Sequence, residues 1–326
     1  MRLFVCEYVT GGGLRRQPLP PALIRDGREM LDALLADLRR IPGVETLLTA
    51  DDRLPGIDGA IAVAENTDVN GLWRRCLRDC DAAWFIAPET GGELLRLRHL
   101  ADELDRPFIG CDAGSIFVTT SKSRTAEHLS GRGIACIETV AADGPLPEGD
   151  RGWIIKPDDG AGCEDAWYLR TPGEVEAWRR HCKADGFILQ PRVAGVHASL
   201  SVLYVDGHCE LLACNRQEIE IGDGIVRLAG VEVGGIRADW NALLSFARAI
   251  GRALPGLRGY VGIDFIQTGR GPVLVEINPR LTTAYAGLHG LLDGNPAEKI
   301  LRALGYLAKT ESRTEDTEAI TACQPR

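Results

Sequence analysis

The sequence lacks the marks of several protein classes. No apolar run approaches the roughly 20 residues of a membrane-spanning helix, so no membrane partner is expected. There is no Cys-x-x-Cys pair, and the ten cysteines are scattered. Cys76 and Cys80 have helical spacing, but no His or Cys cluster beside them completes a zinc site. The cysteines read as reduced thiols, mostly buried as small apolar groups. No basic stripe is available for a nucleic acid, since 37 Lys and Arg face 46 Asp and Glu, a formal net charge of −9. That balance still leaves room for a local basic pocket. There is no Walker loop, no Ser-His-Asp arrangement and no internal repeat. The opening Met1-Arg2-Leu3-Phe4-Val5-Cys6-Glu7 meets a carboxylate too soon for a signal peptide, so a cytoplasmic protein is expected.

What is present suits two or three packed lobes in 326 residues. Strand-like and helix-like stretches alternate first. Arg2 to Val9, Val44 to Leu48, Ala60 to Val63, Ala82 to Ile86 and Pro107 to Ile109 read as strands. Leu23 to Leu38, Leu72 to Cys80 and Leu94 to Leu104 read as helices. That alternation predicts an α/β lobe with a parallel sheet over residues 1–115, with a boundary near Cys111 to Thr120. Residues 116–308 change pattern. Ser121 can cap a helix running to about Gly131. Hairpin pairs then follow at 152–156 with 166–169, and at 200–205 with 209–214 around Asp206-Gly207-His208. A helix from Asn241 to Leu254 precedes a last hairpin, Val261–Ile266 with Val273–Ile277. These are α+β lobes with antiparallel sheets, a central one over about 116–190 and a C-terminal one over about 191–308. Residues 309–326 are polar and aperiodic, and are expected to be a disordered tail.

The last hairpin carries the most chemistry. Side chains alternate faces along a strand. With the turn centred on Arg270, Asp264 stands opposite Glu276, and Gly262 opposite Asn278. Two opposed carboxylates repel, and a divalent cation turns that cost into attraction, because hard oxygen ligands suit magnesium. Gly262 is expected to leave space above Asn278 for phosphate, and Asn278-Pro279-Arg280 sets a cation beside the acids. The bland alternative is a solvent-facing strand with scattered charges.

Further upstream, Trp153-Ile154-Ile155-Lys156 ends in a lysine, followed by a loop with Gly160 and Gly162. Such a loop between antiparallel strands either folds its N–H groups over phosphates or is a plain turn. Lys122 and Arg216 are each either a phosphate cation or a surface residue.

In this order the pieces resemble the ATP-grasp superfamily over most of the chain, to about Leu307. The resemblance implies ATP as the nucleotide, contacted by Lys122, Lys156, Gly160 and Gly162. It makes Gln190, Pro191, Arg192 and Val193 the hinge that reads adenine, and His197 stands where many members carry a ribose-binding glutamate. It makes Asp264, Glu276 and Asn278 ligands of one or two Mg2+ ions, which Mn2+ could replace. Arg280, Lys156 and Arg216 then serve as catalytic cations, Arg216 where a lysine is usual. Within the superfamily, Phe4-Val5-Cys6-Glu7-Tyr8-Val9-Thr10-Gly11-Gly12-Gly13, Asn215-Arg216-Gln217 and Ile277-Asn278-Pro279-Arg280-Leu281-Thr282-Thr283-Ala284-Tyr285 are similar to the tyramine–glutamate ligase group of methanofuran biosynthesis.

That similarity implies a carboxylate–amine ligase joining glutamate to tyramine or tyrosine through an acyl phosphate. Thr282, Thr283 and Tyr285 are its substrate-pocket candidates. Glu7 either reaches the amine or caps a local turn. Glu89 either binds substrate or opens a helix. Cys163, in the glycine loop, either makes nucleotide binding oxidation-sensitive or is inert. A homodimer is the general prior for such enzymes. Competing readings are a dipeptide ligase of the D-alanine type, a protein-tail glutamate ligase, and a non-catalytic nucleotide-binding module. A dinucleotide oxidoreductase fits poorly, because Gly11-Gly12-Gly13 is followed by Pro18 and Pro20 before any helix.

Overall fold

The computed structural model describes residues 1–308 except Ala161, Cys163, Arg237 and Ala238. The expectations for Cys163 and for the 309–326 tail therefore lie outside the described residues. The N-terminal lobe contains β1 (Arg2–Glu7), α1 (Pro21–Leu38), β2 (Glu45–Asp51), β3 (Ile61–Val63), α2 (Val69–Arg78), β4 (Ala82–Ile86) and α3 (Glu93–Glu103). Its four strands are parallel, in the order β3-β2-β1-β4. Pro21 stands at the start of α1, where its missing N–H costs nothing. Met30, Leu31, Leu34, Leu35 and Leu38 then fall on one buried face. Each contributes about 1.5–3 kcal/mol on burial.

Two expected strands are shorter in the structure. β1 stops at Glu7, because the chain turns into a π-helical segment, Val9–Gly13. The Pro107–Ile109 stretch makes only an isolated bridge, Ala83 to Phe108. Where the lobe boundary was expected there is a helix, α4 (Ala113–Thr120), capped by Asp112 on the amide of Ser115 at 2.7 Å. α5 (Lys122–Ser130) follows at once, and Ser121 caps it on the amide of Arg124.

The remaining elements are β5 (Val140–Ala141), β6 (Trp153–Pro157), β7 (Trp167–Leu169), α6 (Pro172–His181), β8 (Phe187–Pro191), β9 (Val196–Val205), β10 (His208–Gly222), β11 (Ile225–Glu232), α7 (Trp240–Ala253), β12 (Gly259–Thr268), β13 (Gly271–Asn278) and α8 (Pro296–Ala303). Their strands form one nine-stranded sheet, β13-β12-β9-β10-β11-β7-β6-β8-β5. Its two halves meet at a single register pair, Ile225 with Trp167. The β5–β8 half has a small core of its own, with Trp153, Ile155, Leu189, Val175 and Trp178. The other half shares a core with the N-terminal lobe, where Phe85 and Ile116 pack in one cluster with Leu200 and Val261. No helix among the described residues is long and apolar enough to cross a membrane.

Candidate active site

The site is built on the β12–β13 hairpin. Asp264 pairs directly with Glu276, and Gly262 with Asn278. The ladder reaches that register by a route the sequence did not suggest. The turn is the two-residue Gly269-Arg270, with Thr268 opposite Gly271. Val275 is left unmatched between the Phe265–Leu274 and Asp264–Glu276 pairs. This bulge adds the one residue that brings the acids into opposition.

The two acids do not ionise alike. Burial and the neighbouring Glu276 push the Asp264 carboxyl up. Burial acts upward on Glu276 too, but the charges of Lys122 and Lys156 outweigh it and hold Glu276 down. The pair therefore shares a proton in the absence of a cation. Lys122, 6% exposed, sets its Nζ 3.2 Å from Glu276 Oε2 and also donates to the Gly160 carbonyl. Asn278 Nδ2 lies 3.4 Å from Asp264 Oδ2. Among the described residues no three His, Cys, Asp or Glu side chains gather as a metal cluster. A cation here would rest on the Asp264 and Glu276 carboxylates with the Asn278 amide oxygen once that side chain turns it toward them, and such a hard-oxygen set fits Mg2+.

Arg280 reaches across to the N-terminal lobe. Its Nη2 and Nε donate to Glu89 Oε2 at 2.8 and 3.1 Å, and Nη2 lies 3.4 Å from Asn278 Oδ1. Lys156, on β6, contributes its charge to Asp264, Glu276 and His197. His197 is half-buried, and burial, then Arg192 and Lys156, lower its pKa, so it is a neutral hydrogen-bonding group near pH 7. Gln190 is buried and donates to Thr139 Oγ1 at 2.8 Å. Its strand neighbour Pro191 pairs with Trp153. Arg192 lies over the Tyr168 ring at 5.3 Å, and Val193 follows it, partly buried.

The glycine loop is tied at its base by Asp158. That carboxylate accepts from the Ser121 hydroxyl at 2.6 Å and the Ser123 amide at 2.7 Å, and the Asp158 carbonyl accepts from the Lys122 amide at 3.0 Å. These bonds fix the loop to the start of α5 and aim Lys122 at the hairpin. Gly162 adopts a left-handed backbone with φ +66.

Several expected residues are placed elsewhere. Arg216 is 45% exposed, 3.8 Å from Glu232, and strand alternation turns it away from Asp264. Its neighbour Gln217 takes that face and acts on the Asp264 carboxyl, drawing its pKa down. Sequence reasoning missed Gln217 because β10 was expected to end at Cys214. Carrying the alternation from Asn215 two residues on finds it. Tyr285 is fully buried and donates to Asp37 on α1, so it braces the core instead of lining a pocket. Thr283 starts a short 3-10 helix. Thr282 fills the space above Gly262 that was assigned to phosphate, since a Cβ there meets Thr282 Cγ2 at 2.6 Å. A buried hydrogen-bond chain holds it: Asn215 to Ser201, Ser201 with Tyr260 and Tyr260 with Thr282, the last two both at 2.9 Å. Glu7 caps a turn, accepting from Val9 N, Thr10 N and Thr10 Oγ1.

Opposed acids on a hairpin, a buried lysine paired to one of them and a tied glycine loop come together at one place in the fold. The ATP-grasp domain family matches residues 119–284, just over half of the chain, and the pre ATP-grasp 3 domain family matches residues 44–116. The chain belongs to the ATP-grasp family. It is 25% identical to the tyramine–L-glutamate ligase of Methanocaldococcus jannaschii, over 86% of this chain and 83% of that one. Among solved structures it is similar to a putative ATP-grasp superfamily protein from Archaeoglobus fulgidus, with TM-score 0.71, 21% identity and coverage of 93% and 89%. It also resembles the D-alanine–D-alanine ligase of Bacillus anthracis, with TM-score 0.65, 14% identity and coverage of 93% and 96%.

Proposed function

We propose that the chain activates glutamate as an acyl phosphate and joins it to tyramine or tyrosine, as a step of a methanofuran-type pathway. The observation that carries the chemistry is Asp264 directly opposite Glu276, with Lys122 paired to the latter. The substrate pair is supported by the 25% identity to a tyramine–L-glutamate ligase over most of both chains. The lobe division at about 115 and 190 belongs to the same proposal.

A carboxylate oxygen of glutamate attacks the terminal phosphorus of ATP, and the bond to the ADP oxygen breaks. The amine then attacks the acyl carbon, phosphate leaves, and the amine loses a proton. Asp264, Glu276 and Asn278 would hold Mg2+, which would supply electrostatic neutralisation of the phosphate oxygens. Lys122 and Lys156 add fixed positive charge where the equatorial oxygens gather negative charge. Arg280, locked by Glu89, presents its guanidinium without having to reorganise. Gln190 to Val193 and His197 hold the nucleoside. No covalent protein nucleophile is needed.

The test is ADP release with MgATP over pairs of amino acids and amines, with mass detection of product. Release that requires glutamate together with tyramine or tyrosine is the expected result. Release that requires a different pair assigns the site to another ligase of the family.

A further inference from the structure

Resting on the ligase reading above, we propose that Glu89 binds the primary ammonium group of a substrate, through the carboxylate oxygen that Arg280 leaves unused. Glu89 follows β4, and in the order β3-β2-β1-β4 the chain builds outward from β1 on both sides. The carboxyl ends of β1 and β4, joined by the Tyr8 amide on the Ile86 carbonyl at 2.8 Å, are therefore the topological switch point of the parallel sheet. Open parallel sheets bind their ligands in the crevice at such a point.

Two acids stand at that crevice, and the structure separates them. The Glu7 carboxylate accepts three hydrogen bonds. It is also sealed by α1, where Gly27 packs so closely that a Cβ there meets the carboxylate carbon at 2.6 Å. Glu89 is 5% exposed, yet its hydrogen bonds from Arg280 both fall on Oε2. Oε1 is buried without a hydrogen-bond partner. A buried carboxylate oxygen left without a donor costs about as much as a lost charged hydrogen bond. A donor supplied by substrate removes that cost.

The position of Glu89 matches the chemistry. Arg280 ties its carboxylate to the metal hairpin. The next two residues grip the phosphate loop, Thr90 Oγ1 on the Asp159 carbonyl at 3.0 Å and Gly91 N on Asp159 Oδ2 at 2.9 Å. Glu89 thus sits between the residues that hold the phosphates and the cation beside the transferred group. A lone carboxylate oxygen accepts only, so it repels phosphate and substrate carboxylates and selects a cationic donor. In this reaction that donor is a primary ammonium, carried either by the acceptor amine or by the α-amino group of glutamate.

The experiment compares wild type with Glu89→Gln, which keeps an oxygen for Arg280 but removes the charge, and with Glu89→Asp should the first variant not fold. The KM values for glutamate, tyramine and ATP are measured by ADP release, and tyrosol, the alcohol analogue of tyramine, is measured as a competitor. The expected result is a rise of about 10- to 100-fold in the KM of one ammonium-bearing substrate, with the other two KM values within about twofold. The substrate that weakens identifies the source of the ammonium. If it is tyramine, the tyrosol inhibition constant stays unchanged. A fall in kcat with all three KM values unchanged shows that Glu89 only holds Arg280, and overturns the proposal. Wild type that releases no ADP with any amine instead overturns the ligase substrate reading, and this inference with it.

Discussion

Asp264 and Glu276 face each other across one rung of the β12–β13 ladder, and only Glu276 is paired with Lys122. Two carboxylates so placed favour a shared proton or a shared cation over two free charges. Replacing Glu276 removes both the acid that stays ionised and the partner of Lys122. Glu276→Gln is expected to lower ADP formation by on the order of 10²- to 10³-fold, the scale of losing one preorganised electrostatic group. ATP still binds, but weakly. Turnover within about threefold of wild type would remove Glu276 from the site.

In the proposed site Lys156 acts on the nucleotide. Its charge reaches Asp264, Glu276 and His197. Lys156→Ala should weaken ATP binding by about tenfold or more, the worth of one charge-assisted bond. Isothermal titration with a nonhydrolysable ATP analogue and Mg2+ reads it directly. An unaltered affinity takes Lys156 out of the pocket.

The metal prediction follows from linkage. MgADP is expected to bind the folded chain and raise its melting temperature. At 100 times the dissociation constant the gain is about 2.7 kcal/mol. In the double variant Asp264→Asn, Glu276→Gln most of that shift is expected to vanish. ADP with EDTA should act alike on both proteins. A full MgADP shift in the double variant contradicts the assignment of the cation to this hairpin.

His197 gives a pH dependence with a definite sign. Its folded pKa lies below the ordinary 6.5, from burial and then from Arg192 and Lys156. The unfolded chain therefore takes up the proton first as pH falls. The stability that goes with the neutral imidazole is present above 6.5 and is lost as pH drops through the folded value. Denaturant titrations of wild type and His197→Gln from pH 7.5 to 5 should diverge below about 6.5, with wild type losing more. Parallel curves would show that the imidazole is not held neutral.

Gly27 tests the packing of the N-terminal lobe. Gly27→Ala pushes a methyl group to 2.6 Å from the Glu7 carboxylate carbon. Neither α1 nor the Glu7 turn can yield without losing bonds. A loss of about 1–3 kcal/mol is expected, read by thermal unfolding.

The sequence showed most of what repeats locally. The β1–β4 alternation, Ser121 as a cap and the faces of Asp264 and Glu276 all follow from periods of 3.6 and 2. What it hid depends on distant partners. Tyr285 looked like a pocket residue because it follows Arg280 closely, but its hydroxyl goes to Asp37, 248 residues away in the chain. Gly262 looked like open space until Thr282 folded over it. α6 was legible and overlooked, for Thr171-Pro172 with Glu174 is a cap signature, and Thr171 does cap the Glu174 amide. The hairpin register came out as expected only because the Val275 bulge compensates for a turn shifted by half a residue, and no period in the sequence announces a bulge.

The central claim is that this site makes an acyl phosphate. It is tested most directly with glutamate labelled with 18O in both carboxylates, incubated with MgATP and the amine. Acyl-phosphate chemistry moves one carboxylate oxygen to the departing phosphate, so the phosphate should carry one 18O and the amide product should have lost one. Unlabelled phosphate, or label found in AMP, would contradict the account.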